Sequence, residues 1–446
     1  MANDHSTDAA TCPLGDREQV RNLVLVAVNT GLSYLASPVL YVGVVHASLC
    51  DWLQTSATVA NLPATAYLIM SPLPLLVAWL FPYARYLKPV MVGCYASLAT
   101  VNAMMAIVLL LPVPTEVKVA VLVLQGAIVG GARTVAVAFE FEVLGRAVSP
   151  ARRGTALGLA YGAGPILAII GALVSQWLLS GKLGPWLLPH LEGPYNFAML
   201  FAAGVPIMAL GSFLASRYVI PAEASEPPRP PFLQGVFGGF GKFLAQPVIR
   251  RAMIVAIIVL AGYTIISNMT LYTREVLGVA PAEVAGYQNT VRFACKAVTG
   301  LLLGWILART NPRVGVLITA GLGLTSVLWA LLAPGNWFLL SFGFMGAAEL
   351  FGIYVTNYIL CCSPRAEMRR YMAFTMVTLF PAAFAGVLFG FITDQFSGEG
   401  ESLAAASAAL ARGFQASFLV ACVFIGVGIL NAVLLPARPN AAETQS

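Results

Sequence analysis

The chain has 446 residues, of which 59% are hydrophobic and only 10% are charged. The apolar residues run in long segments from Val20 to about Leu435, and this excludes an ordinary water-soluble globular protein. The formal net charge is +6. The basic residues cluster at the ends of the apolar segments, so the charge indicates membrane topology, and we expect no nucleic-acid partner.

Twelve apolar segments are long enough to cross a lipid bilayer, whose hydrocarbon core of about 30 Å needs roughly 20 helical residues. Their uniform apolarity differs from barrel strands, which alternate apolar and polar residues over about ten positions. The sequence therefore predicts an all-α polytopic membrane protein with twelve transmembrane helices. The predicted spans are 20–46, 56–81, 89–112, 117–145, 154–180, 196–218, 251–274, 284–308, 314–333, 337–361, 369–394 and 408–435.

The distribution of Lys and Arg predicts the orientation. The first nineteen residues are polar and show no signal-peptide pattern, so the first span is expected to be retained. An even number of spans places both termini on one side, and 18 of the 25 Lys and Arg residues fall on that side. The positive-inside rule therefore predicts cytoplasmic termini in the cell's inner (plasma) membrane.

Several classes of site are not indicated. The seven cysteines and three histidines show neither metal-ligand spacing nor a disulfide framework. There is no phosphate-binding loop of the Gly-Lys-Ser type, which argues against an ATP-driven pump. We expect no cofactor, no metal and no enzymatic activity.

A proline-rich stretch, PAEASEPPRPP, interrupts the chain after the sixth span. It cannot be helical throughout, so it indicates a linker. The sequence predicts an N-terminal half over 1–218, a cytoplasmic linker over 219–249 and a C-terminal half over 250–446. Apolar residues from Leu233 to Leu244 recur at helical spacing, which fits an interfacial helix, but glycines in the same stretch fit a flexible loop equally well.

Two loop sequences recur in corresponding places of the two halves. SPARRGTALG begins at Ser149 after span 4, and SPRAEMRRYMAF begins at Ser363 after span 10, an offset of 214 residues. Arg85 after span 2 corresponds to Arg309 after span 8 at an offset of 224. The similar offsets indicate a duplication. Parallel six-helix repeats are one architecture of secondary transporters, with the substrate site near the midplane between the halves.

Over essentially its whole length the chain resembles the major facilitator superfamily. The family's loop after helix 2, repeated after helix 8, reads Gly, three residues, Asp, Arg and further basic residues. Gly304, Arg309 and Arg313 fit the second copy, and Arg85 and Lys88 fit the first. Ala84 and Ala308 replace the Asp, and Leu80 replaces the first Gly.

Other motifs of the family are also present. Arg153-Gly154 resembles the start of the family's helix 5, and Gly164-Pro165 resembles a pattern of its antiporter branch. The resemblance implies the major facilitator fold, with two six-helix pseudo-repeats. It also implies gating loops, for which the candidate residues are Arg85, Arg309, Arg313, Arg153 and Arg369.

Span 8 carries the most informative polar residues. At 100° per residue, Gln288, Asn289, Arg292 and Lys296 share one face of the helix. An ionised side chain at the bilayer centre costs about 2.5 to 3.5 kcal/mol on insertion scales, so Arg292 and Lys296, close to mid-membrane, suggest a function. Like charges four residues apart repel, and an anionic group is therefore expected nearby.

Spans 4 and 10 add further charges near the membrane centre. Arg133 lies in span 4 with Glu140 two turns later on the same face, and Glu349 takes the corresponding position in span 10. In the superfamily, helices 1, 4, 7 and 10 line a central cavity, flanked by helices 2, 5, 8 and 11. The resemblance therefore implies that Arg133, Arg292, Lys296 and Glu349 face one space.

Structural roles are the alternative to this interpretation. Arg133 or Lys296 could form a structural ion pair with Glu349, and Glu140 could pair with Arg146 or Arg153 in a cytoplasmic gate. The central charges comprise three cations and one acid, which favours an anionic substrate group, since guanidinium suits bidentate binding of carboxylate or phosphate.

The sequence thus predicts a secondary active transporter that moves a small organic anion by alternating access, coupled to protons and working as a monomer in the lipid bilayer. The predicted substrate-binding residues are Arg133, Arg292, Lys296, Gln288, Asn289, Asn29 and Asn268. The predicted proton-coupling residue is Glu349, with Glu140 and Asp394 as alternatives. Other possible functions are an efflux antiporter for amphipathic compounds and a transport-inactive membrane scaffold or assembly factor.

Overall fold

The computed structural model describes residues 14–221, 231–307, 309–363, 368–396 and 403–437. These residues are almost all helical, apart from loops and a small antiparallel hairpin of Lys182–Leu183 with Trp186–Leu187. Within the described ranges, eleven helices are long and apolar enough to cross a membrane. The first span is a broken helix and is the twelfth. The predicted all-α membrane bundle is confirmed.

The six spans of the N-terminal half follow the predicted order. They are Asp16–Leu35 with Ser37–Leu40 and Val44–Trp52 (span 1), Ala57–Ile69 with Leu73–Leu80 (span 2), Leu87–Leu110 (span 3), Thr115–Ala147 (span 4), Pro150–Ser180 (span 5) and Tyr195–Ala215 (span 6). The part of the linker that is described contains two short helices, Phe232–Phe237 and Phe240–Ala245.

The C-terminal half repeats this arrangement, and several of its helices are interrupted. Its spans are Pro247–Tyr263 with Ile266–Leu277 (span 7), Ala285–Leu307 (span 8), Pro312–Leu332 (span 9), Leu340–Ala348 with Phe351–Cys361 (span 10), Met368–Thr375 with Leu379–Ala382 and Phe384–Phe396 (span 11) and Leu403–Val433 (span 12).

Span 1 differs from the prediction, which treated 20–46 as one helix. The helix ends at Leu35, makes one more turn to Leu40 and resumes only at Val44. Pro38 has no backbone N–H to continue the hydrogen-bond ladder. Gly43 has φ +147° and ψ −88°, a conformation that other residues rarely adopt. The sequence at 36–43 therefore breaks the helix near its middle.

The surface of the bundle is apolar and its interior is partly polar, the reverse of a soluble protein. Leu301 is 77% exposed and Leu332 80% exposed, whereas Asn61, Gln125 and Asn268 are fully buried. Exposed leucines at this density suit a lipid surrounding. The buried amides instead hydrogen-bond between helices, as is common in membrane bundles.

Polar contacts join the two halves at the end of the bundle opposite the termini, which we call the far end. Arg274 at the end of span 7 pairs with Asp51 at the end of span 1, with 2.6 Å between Nη2 and Oδ2. Lys182, in the hairpin after span 5, pairs with Glu283 before span 8 at 2.9 Å. These ion pairs hold spans of one half against spans of the other.

A helix cap and an amide pair reinforce the far end. The carboxylate of Asp394 in span 11 accepts hydrogen bonds from the backbone N–H groups of Ala57 and Thr58, both at 2.9 Å. A carboxylate there satisfies free amides and complements the helix dipole at the start of span 2. Nearby, Asn61 donates to Asn268 across the halves at 2.6 Å. We call these contacts, together with the two ion pairs, the far-end clasp.

Candidate functional site

Arg292 and Lys296 of span 8 meet Glu349 of span 10 inside the bundle. Arg292 places Nε 2.6 Å and Nη2 2.5 Å from Oε1 of Glu349, and Lys296 places Nζ 2.9 Å from Oε2. The side chains are 6%, 13% and 18% exposed, respectively. Among the described contacts, two cations thus share one carboxylate, and this group, the ion cluster, carries one net positive charge.

The ion cluster exists because spans 8 and 10 approach very closely. A Cβ added at Gly346 would overlap the carbonyl oxygen of Arg292, and one added at Gly343 would lie 2.7 Å from the sulfur of Cys295. Small residues of this kind let helix backbones touch in membrane bundles. Glu349 follows Gly346 by one turn, so the contact at Gly346 brings its carboxylate to span 8.

Span 1 of the other half contributes an aromatic ring to the ion cluster. The ring centroid of Tyr41 lies 5.6 Å from Nζ of Lys296 and 6.0 Å from Cζ of Arg292, within the range of a cation–π interaction. Tyr41 packs edge-on against Phe293 and stacks on Tyr34. The sequence analysis missed Tyr41, although Pro38 and Gly43 on either side of it signal the break that contains it.

Arg133 approaches the same region from span 4. It is 9% exposed, and Tyr41 lies within electrostatic range of both Arg133 and Lys296. Tyr67 lies within range of Arg133, Arg292 and Glu349. Arg133 therefore interacts electrostatically with two tyrosines that also interact with members of the ion cluster. The ion pairs of Glu349 described above are both made with span 8.

The polar stripe predicted on span 8 faces the interior. Gln288 and Asn289 are 0% and 2% exposed. Asn289 accepts a hydrogen bond from Nη1 of Arg292 at 3.4 Å, and Gln288 donates to the hydroxyl of Thr273 at 2.7 Å. The Oε1 atom of Gln288 is buried without a hydrogen-bond partner in the described structure. A role of either amide in substrate binding stays a prediction.

The other two predicted binding amides lie in different networks. Asn29 donates to the hydroxyl of Tyr218 at 3.3 Å, within the N-terminal half. Asn268 donates to Thr393 and Ser417 and accepts from Asn61, so it belongs to the far-end clasp. Neither amide is part of the ion cluster, and their proposed substrate roles remain predictions.

The alternative pairing of Glu140 with Arg146 or Arg153 is wrong. The hydroxyl of Tyr95 donates to Glu140 at 2.5 Å. Arg146 pairs instead with Glu142 at 2.8 Å, because the two residues are one turn apart on the same helix face. Arg153 donates to backbone carbonyls at the end of span 4, including that of Val148 at 2.9 Å. Coupling by Glu140 or by the helix-capping Asp394 stays a prediction.

Two of the arginines predicted to act in gating loops contact aromatic rings. The guanidinium of Arg85 lies 5.2 and 4.9 Å from the rings of Tyr83 and Tyr86, and that of Arg309 lies 4.1 Å from Trp305. Arg313 is half-buried at the start of span 9. The side chain of Arg369 falls outside the described residues.

Solved structures of transporters share this fold over nearly the whole chain. The D-xylose–proton symporter is 15% identical and superposes with a TM-score of 0.66, covering 96% of this chain and 100% of the symporter. A bacterial homologue of the human lysosomal transporter Spinster, inward-facing and unoccupied, is 16% identical with a TM-score of 0.63, covering 97% and 98%. The nucleoside transporter NupG is 12% identical with a TM-score of 0.63, covering 93% and 98%.

No protein-family model and no curated protein sequence matches the chain. The structural similarity nevertheless shows that the protein has the major facilitator fold, as the sequence motifs predicted.

The close approach at Gly346 gives a test of how the ion cluster is built. Gly346→Ala should lower the melting temperature of the purified protein, because its methyl group forces span 10 away from span 8. Gly352→Ala is the matched control: it lies in the same span with no atom near the added Cβ, and should be neutral or stabilising, since Ala favours helix by up to about 1 kcal/mol over Gly. Equal melting temperatures for the two variants would contradict this packing.

Proposed function

We propose that the protein is a secondary active transporter that moves a small organic anion together with protons by alternating access. The observation that carries the proposal is the ion cluster, in which two buried cations share a single carboxylate. The fold is that of proteins whose names describe a nucleoside transporter and a D-xylose–proton symporter, which supports transport and is consistent with proton coupling.

Glu349 occupies the position that an anionic substrate would take. Nε and Nη2 of Arg292 both contact Oε1 of the Glu349 carboxylate, and Nζ of Lys296 contacts Oε2. Arg and Lys bind the carboxylate or phosphate of a ligand with the same nitrogens. Substrate and Glu349 therefore compete for the same cations. Protonation of Glu349 removes its charge and releases the cations, and the substrate anion then neutralises them.

This competition couples the proton to the substrate. On the side with the higher proton concentration, Glu349 is protonated and the anion binds. After the halves rock to open the other side, loss of the proton returns the Glu349 carboxylate to Arg292 and Lys296, which expels the anion. The coupled species are one proton on Glu349 and one anionic group on the cations. Arg133, whose charge acts on Tyr41 and Tyr67 as the charges of the ion cluster do, would add positive potential to the same region.

The rival functions receive less support from the described residues. Gly164, part of the antiporter-like pair, packs directly on the ring of Tyr34, so helix packing accounts for it. A transport-inactive scaffold does not explain a buried cluster with more cations than acids, because desolvating unbalanced charge is destabilising.

We propose the inner membrane as the location, with cytoplasmic termini and a monomeric state.

The first test is the affinity for anions. Arg292→Ala and Lys296→Ala should each weaken binding by more than about tenfold, corresponding to about 1.5 to 3 kcal/mol for a hydrogen bond to a charged group. Arg292→Lys should recover part of the loss if the anion is held by two nitrogens. Ligands are found by the rise in melting temperature with a panel of carboxylates and organic phosphates. Normal transport by both alanine variants, or only neutral and cationic ligands, would disprove the proposal.

The second test concerns the coupling by Glu349. Wild-type affinity for the anion should rise as the pH falls, because protonated Glu349 no longer competes for the cations. In Glu349→Gln the affinity should lose this pH dependence, and proteoliposomes should exchange substrate without accumulating it under a pH gradient. Glu142→Gln is the control, since Glu142 pairs with Arg146 away from the ion cluster. Undiminished accumulation by Glu349→Gln would move the coupling to another residue.

The third test concerns orientation. In a variant without native cysteines, Leu233→Cys, in the linker, should react with a membrane-impermeant thiol reagent only after the cells are opened. Leu187→Cys, in the hairpin at the far end, should react in intact cells. Both positions are at least 70% exposed, so accessibility within the protein does not limit the labelling. The reverse pattern would invert the proposed topology.

A further inference from the structure

We propose that Gln125 and His46 are positioning residues, which bridge the break in span 1 and thereby hold Tyr41 against the ion cluster. The hydrogen bonds that form this bridge all lie within the N-terminal half. Its effect on substrate affinity rests on the function proposed above. Neither residue belongs to the ion cluster, and the sequence analysis singled out neither.

Gln125 replaces a backbone hydrogen bond that the break in span 1 removes. In a continuous helix the carbonyl of Val39 would accept from the N–H of Gly43. Gly43 has φ +147°, and the carbonyl of Val39 accepts instead from Nε2 of Gln125 at 2.9 Å. Gln125 comes from span 4 and is fully buried. Its side chain thus satisfies a carbonyl that the helix leaves open in the interior.

His46 connects Gln125 to the other side of the break. Its Nε2 lies 2.8 Å from Oε1 of Gln125. The carbonyl of Val39 can only accept, so Nε2 of Gln125 must face Val39 and Oε1 must face His46. The hydrogen between them is therefore carried by Nε2 of His46. Asn102 of span 3 accepts a further, longer bond of 3.3 Å from Gln125.

The bridge therefore spans the break, with Val39 before it and His46 after it. Tyr41 lies between these anchors with φ −92° and ψ 89°, outside the helical region. From there its ring reaches Lys296 and Arg292 of the other half. If span 1 closed into a regular helix, residue 41 would take a helical backbone conformation and the direction of its ring would change. Gln125 thus acts on the ion cluster through Tyr41.

The ring of Tyr41 matters most when Glu349 releases the two cations. Its π face then remains close to both cations, so losing it should reduce the affinity for an anion that needs them in place. Gln125→Leu removes the donor to Val39 and the acceptor for His46. We expect it to weaken anion binding by about two- to thirtyfold, the range for the loss of a cation–π contact.

A double-mutant cycle separates positioning from general damage. In a Tyr41→Leu background, Gln125→Leu should cause no further loss of affinity, since the two residues act in series. Asn22→Leu is the matched control. Asn22 is another buried amide, and its side chain hydrogen-bonds span 1 to the backbone of Val219 at the end of the bundle that carries the termini. It should lower the melting temperature without changing the affinity. Equal losses from Gln125→Leu with and without Tyr41 would overturn the proposal.

Hydrogen exchange tests the bridge without any substrate. Gln125→Leu should change the exchange rates of amides in 39–46 and leave those near residue 22 unchanged. Asn22→Leu should change the exchange rates near residue 22 and leave those in 39–46 unchanged. If no anion binds the wild type, the proposed function fails while this measurement still decides on the bridge. Unchanged exchange over 39–46 in Gln125→Leu would overturn it, whatever the protein binds.

Two more variants guard against misfolding. If Gln125→Leu does not fold, Gln125→Met can replace it, because Met has a side chain of similar length to Gln. This variant should show the same altered exchange over 39–46. His46→Gln retains a donor for Oε1 of Gln125 and should keep wild-type exchange and affinity. Wild-type exchange in Gln125→Met would contradict the bridge, as would altered exchange in His46→Gln.

Discussion

A carboxylate shared between two cations in a low-dielectric interior is the interaction on which the rest of this structure depends. Burying a charge is expensive, and removing one partner of a buried pair leaves an uncompensated charge. Glu349 must therefore stay within reach of Arg292 and Lys296 whenever no other anion is present. That requirement explains the glycines where spans 8 and 10 touch, and it gives a physical reason for an aromatic ring from the other half.

The two halves are connected in different ways at different depths. At the far end they are joined by directed polar contacts: two ion pairs, an amide pair and the cap that Asp394 supplies to span 2. Nearer the centre, Thr65 and Ser71 of span 2 donate hydrogen bonds to carbonyls within span 11, and Tyr41 adds a central contact with the cations that is weaker and less directional. The rocking motion proposed for transport must break the directed contacts, while the contact of Tyr41 with the cations can persist through small rotations.

The sequence predicted what depends on composition and local periodicity. Apolar runs located the spans, and the 100° rule placed Gln288, Asn289, Arg292 and Lys296 on an interior face. The sequence offered an ion pair of Lys296 with Glu349 as an alternative, and the structure contains that pair, but most other long-range partners could not be predicted. The sequence does not distinguish a buried amide that faces a ligand from one that bonds another helix, so the substrate roles of Asn29 and Asn268 remain predictions. The role of Asp394 depends on backbone amides more than 300 positions away. To predict the role of Tyr41, one would have to recognise that Pro38 and Gly43 together break the helix.

The far-end clasp has a consequence for the solution that bathes it. Arg274 and Lys182 are each about half exposed, so mobile ions reach both ion pairs and screen them. The central ion cluster, sealed among helices, is largely shielded from such screening. Ionic strength on the far side therefore acts on one conformation of the protein and not on its central charges. Under the proposed alternating access, the ionic strength of that compartment becomes a physical input to how often the bundle opens toward it.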